Sequence, residues 1–380
     1  MTTRQIAEAF PPGDFIREEL DAREWSQVEL AEIIGRHPQV ITELVTGKRA
    51  ITPELAKALG DAFGTSAQYW MNLDSSYRLW LARGADDAIT RRSRLYHMAP
   101  IREMVRRCWI EASESLDVLE DRVARFFRIP NVATPIAFPH AARRRGAGEL
   151  SPAQKAWLFR AVQLAHAVHA EAFSAQSLER GMAELRGLLT GASDVRLVPR
   201  ILANAGIRFM VLEDLPRTAI DGVTFWLDER SPVIALSLRY GRIDAFWYTL
   251  AHELHHVKRR DGLRRSQEIV LDTDLMRDSA ATLEPESEAE KKADKLAAEF
   301  LVSRAELNDF ILRTTPLYSK KKIADFAARI RVHPGLVVGQ LQFRGEVAWS
   351  SFRDTLVDVR DMVTQSALTD GWGHVPPPLS

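Results

Sequence analysis

The sequence predicts a mainly α protein with a small antiparallel sheet, and three observations carry that prediction. Helical periodicity dominates residues 1–195 and returns after residue 303. Strand-like apolar runs are confined to a stretch between residues 207 and 238. A length of 380 residues leaves room for two to four domains. The expected division is a helix-turn-helix domain over 1–85, a helical connector over 86–195, a compact α+β core over 196–310 and a C-terminal helical region over 311–380.

Composition narrows the class. Hydrophobic residues make up 46% and charged residues 27%, which excludes a disordered chain, a collagen-like fibre and a disulfide scaffold. Lys plus Arg and Asp plus Glu are both 51, so no global charge advertises nucleic acid or membrane. The single cysteine, Cys108, forms no intrachain disulfide and reads as a small buried residue in a reducing compartment. No secretory signal and no apolar run of about 18 residues is seen. The expectation is a cytoplasmic protein with no membrane partner.

The N-terminal elements follow from their caps. Phe15–Ala22 is amphipathic and helical. Ser26 caps Gln27–Ile34, with Glu29 completing a capping box and Gly35 ending the helix. Arg36 and His37 make a turn, and Pro38 suits a first helical position before Gln39–Val45. Thr52 caps a further helix from Pro53. Two short helices joined by a tight turn, with helices on either side, form the tri-helical pattern that reads DNA.

Pro12-Gly-Asp-Phe-Ile-Arg-Glu-Glu-Leu20, Ser26-Gln-Val-Glu-Leu-Ala31, Gly47-Lys-Arg49, Ile51-Thr-Pro-Glu-Leu55 and Tyr69-Trp-Met-Asn-Leu73 resemble HigA/VapI-type antitoxins of the XRE helix-turn-helix family. The resemblance spans about 70 residues. It implies operator DNA as a partner, a possible toxin partner, and a homodimer on a two-fold operator. It also implies that Gln27 touches a phosphate, that Gln39, Val40 and Thr42 face base edges, and that Lys48 and Arg49 meet phosphate. Pro38 departs from the polar residue usual at its place. Residues 1–85 hold 9 basic and 12 acidic side chains, so a DNA-facing patch must be local, at Arg36, Lys48 and Arg49.

Residues 86–195 are Arg-rich at Arg91, Arg92, Arg94, Arg102, Arg106 and Arg107, and again at Arg143–Arg145; the first run reads as a solvated helix. Pro130, Pro135 and Pro139 interrupt the segment, and Ser151–Leu189 reads as strongly helical. Ile207–Leu212, Gly222–Leu227 and Pro232–Leu238 read as strands, the last two joined by the turn Asp228–Ser231. A helix opens near Asp244, which has the chemistry of an N-cap. Residues 259–289 read as a polar loop, and a second helix covers 286–302. His333-Pro-Gly335, between helices at Ile323–Ile330 and Leu336–Leu341, reads as part of a helical cap.

The strongest chemical signal is His252-Glu253-Leu254-His255-His256, an H-E-x-x-H motif. Positions i and i+4 share a helix face, so His252 and His256 can grip one Zn²⁺ while Glu253 takes a proton from water. His255 competes at i, i+3, but the motif's geometry favours His256. Glu290 is the candidate third ligand, and Asp294, one turn on, is placed to fix a histidine tautomer. This E-x-x-A-D spacing resembles that of the gluzincins, and the resemblance implies that the second domain is an α+β gluzincin-like metallopeptidase domain.

Phe246-Trp-Tyr-Thr-Leu-Ala-His252 and Glu290-Lys-Lys-Ala-Asp294 through Phe300-Leu301 resemble the ImmA/IrrE zinc peptidases over roughly residues 195–345. Val302-Ser303 departs mildly from the family's usual Pro. The resemblance implies a zinc-dependent endopeptidase that cleaves a repressor or antitoxin, or itself. A peptide substrate could add to the strand Val233–Leu238, with Tyr240, Tyr248 or His333 as a second polarising group. The alternative is a DNA-binding antitoxin or repressor whose metal domain is structural or sensory, without proteolysis.

Overall fold

A computed structural model describes residues 9–82, 87–136, 142–144, 149–263, 269–273 and 288–376. The chain divides into two compact units, Met1–Ser93 and Arg94–Ser380. No helix among the described residues is long and apolar enough to cross a membrane.

The first unit holds α1 (Pro12–Arg23), α2 (Gln27–Ile33), α3 (Pro38–Val45), α4 (Pro53–Phe63) and α5 (Ala67–Leu81), and α6 (Asp87–Met98) spans the division. The cap chemistry explains the starts. Ser26 Oγ accepts from Glu29 N at 3.2 Å while Glu29 Oε2 accepts from Ser26 N at 2.7 Å. Thr52 Oγ1 accepts from Leu55 N at 3.4 Å. Ile16, Leu30, Ile41, Leu44, Leu59 and Trp70 form the centre of this unit's core. Gly13 is required by close approach: a Cβ there would stand 2.2 Å from the carbonyl oxygen of Val45, so only glycine lets α1 lie against the end of α3.

The second unit continues with α7 (Ile101–Arg106), α8 (Leu116–Phe126), β1 (Ala142–Arg144), α9 (Pro152–Ala165), α10 (Ala175–Gly187), α11 (Val198–Asn204), β2 (Arg208–Leu212), β3 (Ile220–Trp226) and β4 (Pro232–Leu236). It is completed by α12 (Ile243–Arg259), β5 (Ile269–Thr273), α13 (Glu288–Leu301), α14 (Arg304–Thr314), α15 (Lys320–Ile330), α16 (Pro334–Phe343), α17 (Arg360–Thr364) and β6 (Leu368–Asp370). Among the described residues the strands form one sheet in the order β1-β5-β3-β4-β2-β6.

The sheet is mixed, which corrects the expected small antiparallel one. β3 is antiparallel to β4 and β5, but β2 runs parallel to β4 and to β6, and β1 parallel to β5. β4 turns back from β3 and takes β2 on its far side, which leaves β2 and β4 pointing the same way. Such pairing is non-local and leaves no trace in the periodicity of a single strand. Both faces are covered. Phe209, Val211, Ile234 and Leu236 join one core with α10 to α16, while Met210, Leu212, Val233 and Ala235 join another with α8 and α9. Burial on two faces explains the near-continuous apolar runs of β2 and β4. These cores run through residues 195/196 and 310/311, so the connector, the α+β core and the C-terminal region pack as one unit. Arg160 Nε reaches Asp370 Oδ2 at 2.5 Å, and Trp109 Nε1 donates to the same oxygen at 3.1 Å, which ties β6 to α9.

Several expectations change. β4 lies between β3 and β2, so its edges are already paired and it offers no place for strand addition. Ser151–Leu189 is two helices, α9 and α10, the second started by Ser174, whose Oγ accepts from Ser177 N at 3.0 Å. The 259–289 stretch contains β5, which forms by pairing with distant β3. Arg242, not Asp244, is the N-cap of α12; Asp244 sits buried in the first turn with its carboxylate on the Arg242 guanidinium at 2.5 Å. Cys108 is exposed, in a turn at φ +56° after α7. Arg92, Arg94, Arg102 and Arg106 are exposed, but Arg107 is buried and donates to the carbonyl oxygens of Glu213 and Asp214 at 2.8 and 2.6 Å. Pro139 and Arg145 lie outside the described residues.

Candidate functional site

The first unit presents its candidate contacts on α2, α3 and the turn that follows. Gln39, Thr42, Lys48 and Arg49 are exposed, whereas Val40 is half-buried against the core. His37 caps α3, its ring accepting from Gln39 N at 3.3 Å, with Pro38 at the first helical position. Gln27 opens α2, and its Oε1 accepts from Thr42 Oγ1 at 3.1 Å, so these two candidates meet across the turn. Glu43 was missed by the sequence reasoning. Its carboxylate accepts from Gln39 Nε2 at 3.1 Å and from Arg49 Nε at 2.7 Å, and the Arg49 hydrogen bond holds it below the usual carboxylate range. The i, i+4 spacing from Gln39 was the available signal.

The second unit builds its site on α12, α13, β3 and β5. α12 carries His252 and His256 one turn apart on one face, with their Nε2 atoms 2.9 Å apart. α13 brings Glu290 to them, with Oε2 3.3 Å from His252 Nε2 and 3.5 Å from His256 Nε2. His252, Glu253, His256 and Glu290 are 0%, 0%, 5% and 3% exposed. Asp294 Oδ1 stands 3.0 Å from His252 Nδ1 and accepts from Tyr248 OH at 3.0 Å. Tyr248 is thereby committed to Asp294, His333 caps α16, and Tyr240 lies under the Arg239 guanidinium. A cavity of about 410 Å³ opens beside Asp294 and Tyr248, lined also by Leu336, Phe343, Arg304 and Arg344.

Two further residues were missed. Asp261, past the end of α12, places Oδ2 2.9 Å from His256 Nδ1, so each histidine has a carboxylate behind it. Such carboxylates orient an imidazole and strengthen it as a ligand. Asp272 on β5 is 1% exposed and places Oδ2 3.5 Å from His252 Nε2. The signal for Asp261 was its position five residues after His256. For Asp272 it was the apolar run Ile269-Val-Leu271 just before an acid, overshadowed by its polar surroundings.

β3 supplies the floor. Its alternation points Val223 and Phe225 to one core and Gly222 and Thr224 to α12. Thr224 Oγ1 donates to Glu253 Oε2 at 2.6 Å. A Cβ on Gly222 would stand 2.5 Å from Glu253 Oε1, so the missing side chain makes the room this carboxyl occupies.

The electrostatics follow from burial among charges. Burial, then the negative charge of Asp272, raise the Glu253 pKa well above the carboxylate range. Burial alone would lower both His252 and His256. For His252 the charge of Asp272 and its contacts with Asp272, Asp294 and Glu290 win, and its pKa stands well above the usual imidazole value. For His256, Asp261 and Glu290 win, and the value rises to about 10. Glu290 is also opposed by burial, but its histidine contacts hold it well below the ordinary value. His255 is turned away toward the backbone of Leu296, and burial lowers it to about 4.

The residues fit a divalent cation. His252, His256, Asp272 and Glu290 each offer one donor atom, and these atoms lie within 4.8 Å of one another, all buried. Neither oxygen of Asp272, nor Glu253 Oε1, accepts a hydrogen bond of normal geometry among the described residues. Buried carboxylate oxygens without donors are strongly unfavourable, and a cation relieves them. Two imidazoles with carboxylates is a donor set that suits zinc and its neighbours.

Comparison with known proteins bears on the first unit. Residues 16–70 match the helix-turn-helix family. The HTH-type transcriptional regulator YddM of Escherichia coli K12 is 41% identical over 68 residues, 18% of this chain and 72% of that protein. Virulence-associated protein I of Dichelobacter nodosus is 37% identical over 75 residues, 20% of this chain and 69% of that protein. The antitoxin HigA of Pseudomonas aeruginosa, solved with the higBA promoter, is 35% identical, covering 21% of this chain and 87% of that one with a TM-score of 0.20. Through its N-terminal segment, the chain belongs to the helix-turn-helix family.

Proposed function

We propose that the chain is a DNA-binding, antitoxin-like transcriptional regulator carrying a zinc-dependent endopeptidase in its second unit, acting on a repressor, an antitoxin or itself. One observation carries the enzymatic half: two imidazoles from α12 and a carboxylate from α13 converge in a buried cluster, with Glu253 on the same helix. His252, His256 and Glu290 would hold the ion, and Zn²⁺ supplies Lewis acidity toward a carbonyl and toward water. The chain's own groups do the rest. Asp294 and Asp261 keep both imidazoles oriented. Thr224 holds one oxygen of Glu253, leaving Oε1 to take a proton from the attacking water and return it to the leaving amine.

The DNA-binding half rests on Gln39, Thr42, Lys48 and Arg49 standing exposed along α3 and its turn. The named relatives include a helix-turn-helix transcriptional regulator, which supports an operator as partner. By this reading Val40 supports the helix more than it reads bases, because it leans on the core.

The test has two arms. Elemental analysis of purified protein should find close to one zinc per chain, and Glu253→Gln should keep that zinc and the fold while losing peptide-bond hydrolysis, read by mass spectrometry of the full chain and a peptide library. Gel shifts on the DNA upstream of the protein's own gene should show binding that Gln39→Ala with Arg49→Ala removes. Zinc-loaded Glu253→Gln that cleaves like wild type removes the enzymatic half. A second reading, a structural or sensory metal, is favoured by the complete burial of His252 and Glu253.

A further inference from the structure

Asp272 has no part in the three-ligand site, yet the fold aims it there. In the β3–β5 ladder it lies opposite Gly222, and the pairing slips by one residue between Ile220 and Gly222. Residues directly opposite in an antiparallel pair project to the same face of the sheet. Gly222 faces α12 beneath Glu253, so Asp272 faces α12 as well. A slip of this kind beside a site re-aims the adjoining side chain. The carboxylate arrives 3.5 Å from His252 Nε2, 1% exposed, with neither oxygen accepting a normal hydrogen bond among the described residues. A carboxylate in that setting needs a cation, and the donor atoms of His252, His256 and Glu290 lie within 4.8 Å of its own.

Resting on the reading that His252, His256 and Glu290 hold a metal ion, we propose that Asp272 is a fourth protein ligand that closes the coordination position a hydrolytic centre leaves open. A site with four protein side chains is closed, whereas a hydrolytic one keeps a position for water or substrate. The described arrangement is then the resting form of the centre, and hydrolysis requires the Asp272 carboxylate to leave. This accounts for a base, Glu253, that is fully buried beside the ligands. It also accounts for the use of a strand, rather than a surface loop, to carry the acid.

The probe is the full chain loaded with Co²⁺, followed by visible absorption during titration with azide, a small anion that takes an open position on the metal. Wild type should bind one Co²⁺ and keep its spectrum in azide. Asp272→Asn, which preserves the side chain's size, and Asp272→Ala should both acquire an azide-dependent spectrum. Both should also lose Co²⁺ to a competing chelator at a concentration at least about tenfold lower. An azide response in wild type overturns the proposal without any variant, and so does a chelator midpoint unchanged in Asp272→Asn. Failure of wild type to bind Co²⁺, or retention of Co²⁺ by His252→Ala, instead overturns the metal site beneath it.

Discussion

The two units carry polar chemistry in opposite settings. In the first, Gln39, Thr42, Lys48 and Arg49 stand in water, on α3 and the turn after it, positioned by Ile41, Leu44 and Leu30 beneath them. In the second, His252, Glu253, Asp272 and Glu290 are at most 3% exposed. A surface side chain is placed by its own helix, and its neighbours need not satisfy it because water does. A buried one must be answered by specific partners, since an unmatched buried polar group costs about 1–3 kcal/mol and a charge more. The interior cluster therefore carries much of its own explanation, as the carboxylates behind each imidazole show. The exposed face of α3 becomes informative only with a partner against it.

The sharpest way to break this comparison is His252→Ala. Zinc content should fall from near one per chain to near none by elemental analysis, while gel-shift affinity for upstream DNA stays at the wild-type level. Loss of both would show that the exposed face depends on the interior cluster.

Gly222→Ala comes next, because it tests burial without touching a ligand. Its Cβ would stand 2.5 Å from Glu253 Oε1. Overpacking of this kind should lower stability in a denaturant titration by about 1–3 kcal/mol. It should reduce peptide hydrolysis by about 10²-fold or more while zinc is retained.

Asp261→Asn should weaken zinc by about 10–100-fold in chelator competition. It should also change the pH dependence, whose sign follows from His256. With a folded value near 10, the metal-free ring keeps its proton through neutral pH, so metal binding must expel it and zinc affinity rises with pH. The same raised value stabilises the metal-free fold fully below the unfolded imidazole value, about 6.5, and that contribution is lost as pH climbs toward 10. Asp261→Asn removes the partner that lifts His256, so both slopes should flatten.

On the exposed side, Gln39→Ala should remove about 1–3 kcal/mol of discrimination between operator and altered operator in competition gel shifts. An equal loss on unrelated DNA would make Gln39 a backbone contact instead. The smallest effect belongs to Ser26→Ala, which deletes one arm of the capping box and should destabilise the first unit by about 1 kcal/mol in thermal unfolding.

Much of the fold was legible because its signals are local. Ser26 with Glu29, Thr52, and Pro38 after His37 mark helix starts through contacts three residues or fewer apart. Three strands and the turn at Asp228–Ser231 were visible as apolar runs around a polar break. Some local signals misled. Asp244 has N-cap chemistry, but Arg242 captures its carboxylate inside the first turn. Cys108 has a small, apolar-looking side chain, but the turn at positive φ turns it outward.

By itself the sequence determined the helix boundaries at capped ends, the i, i+4 pairing of His252 with His256, and the presence of a helix bearing Glu290 and Asp294, because each depends on a few neighbouring residues and the pitch of a helix. Only the tertiary structure decided that the sheet is mixed, that β4 has no free edge, and that β5 sets Asp272 opposite Gly222 against the histidines. Those facts depend on which distant segments exclude water together, and no spacing along the chain encodes that.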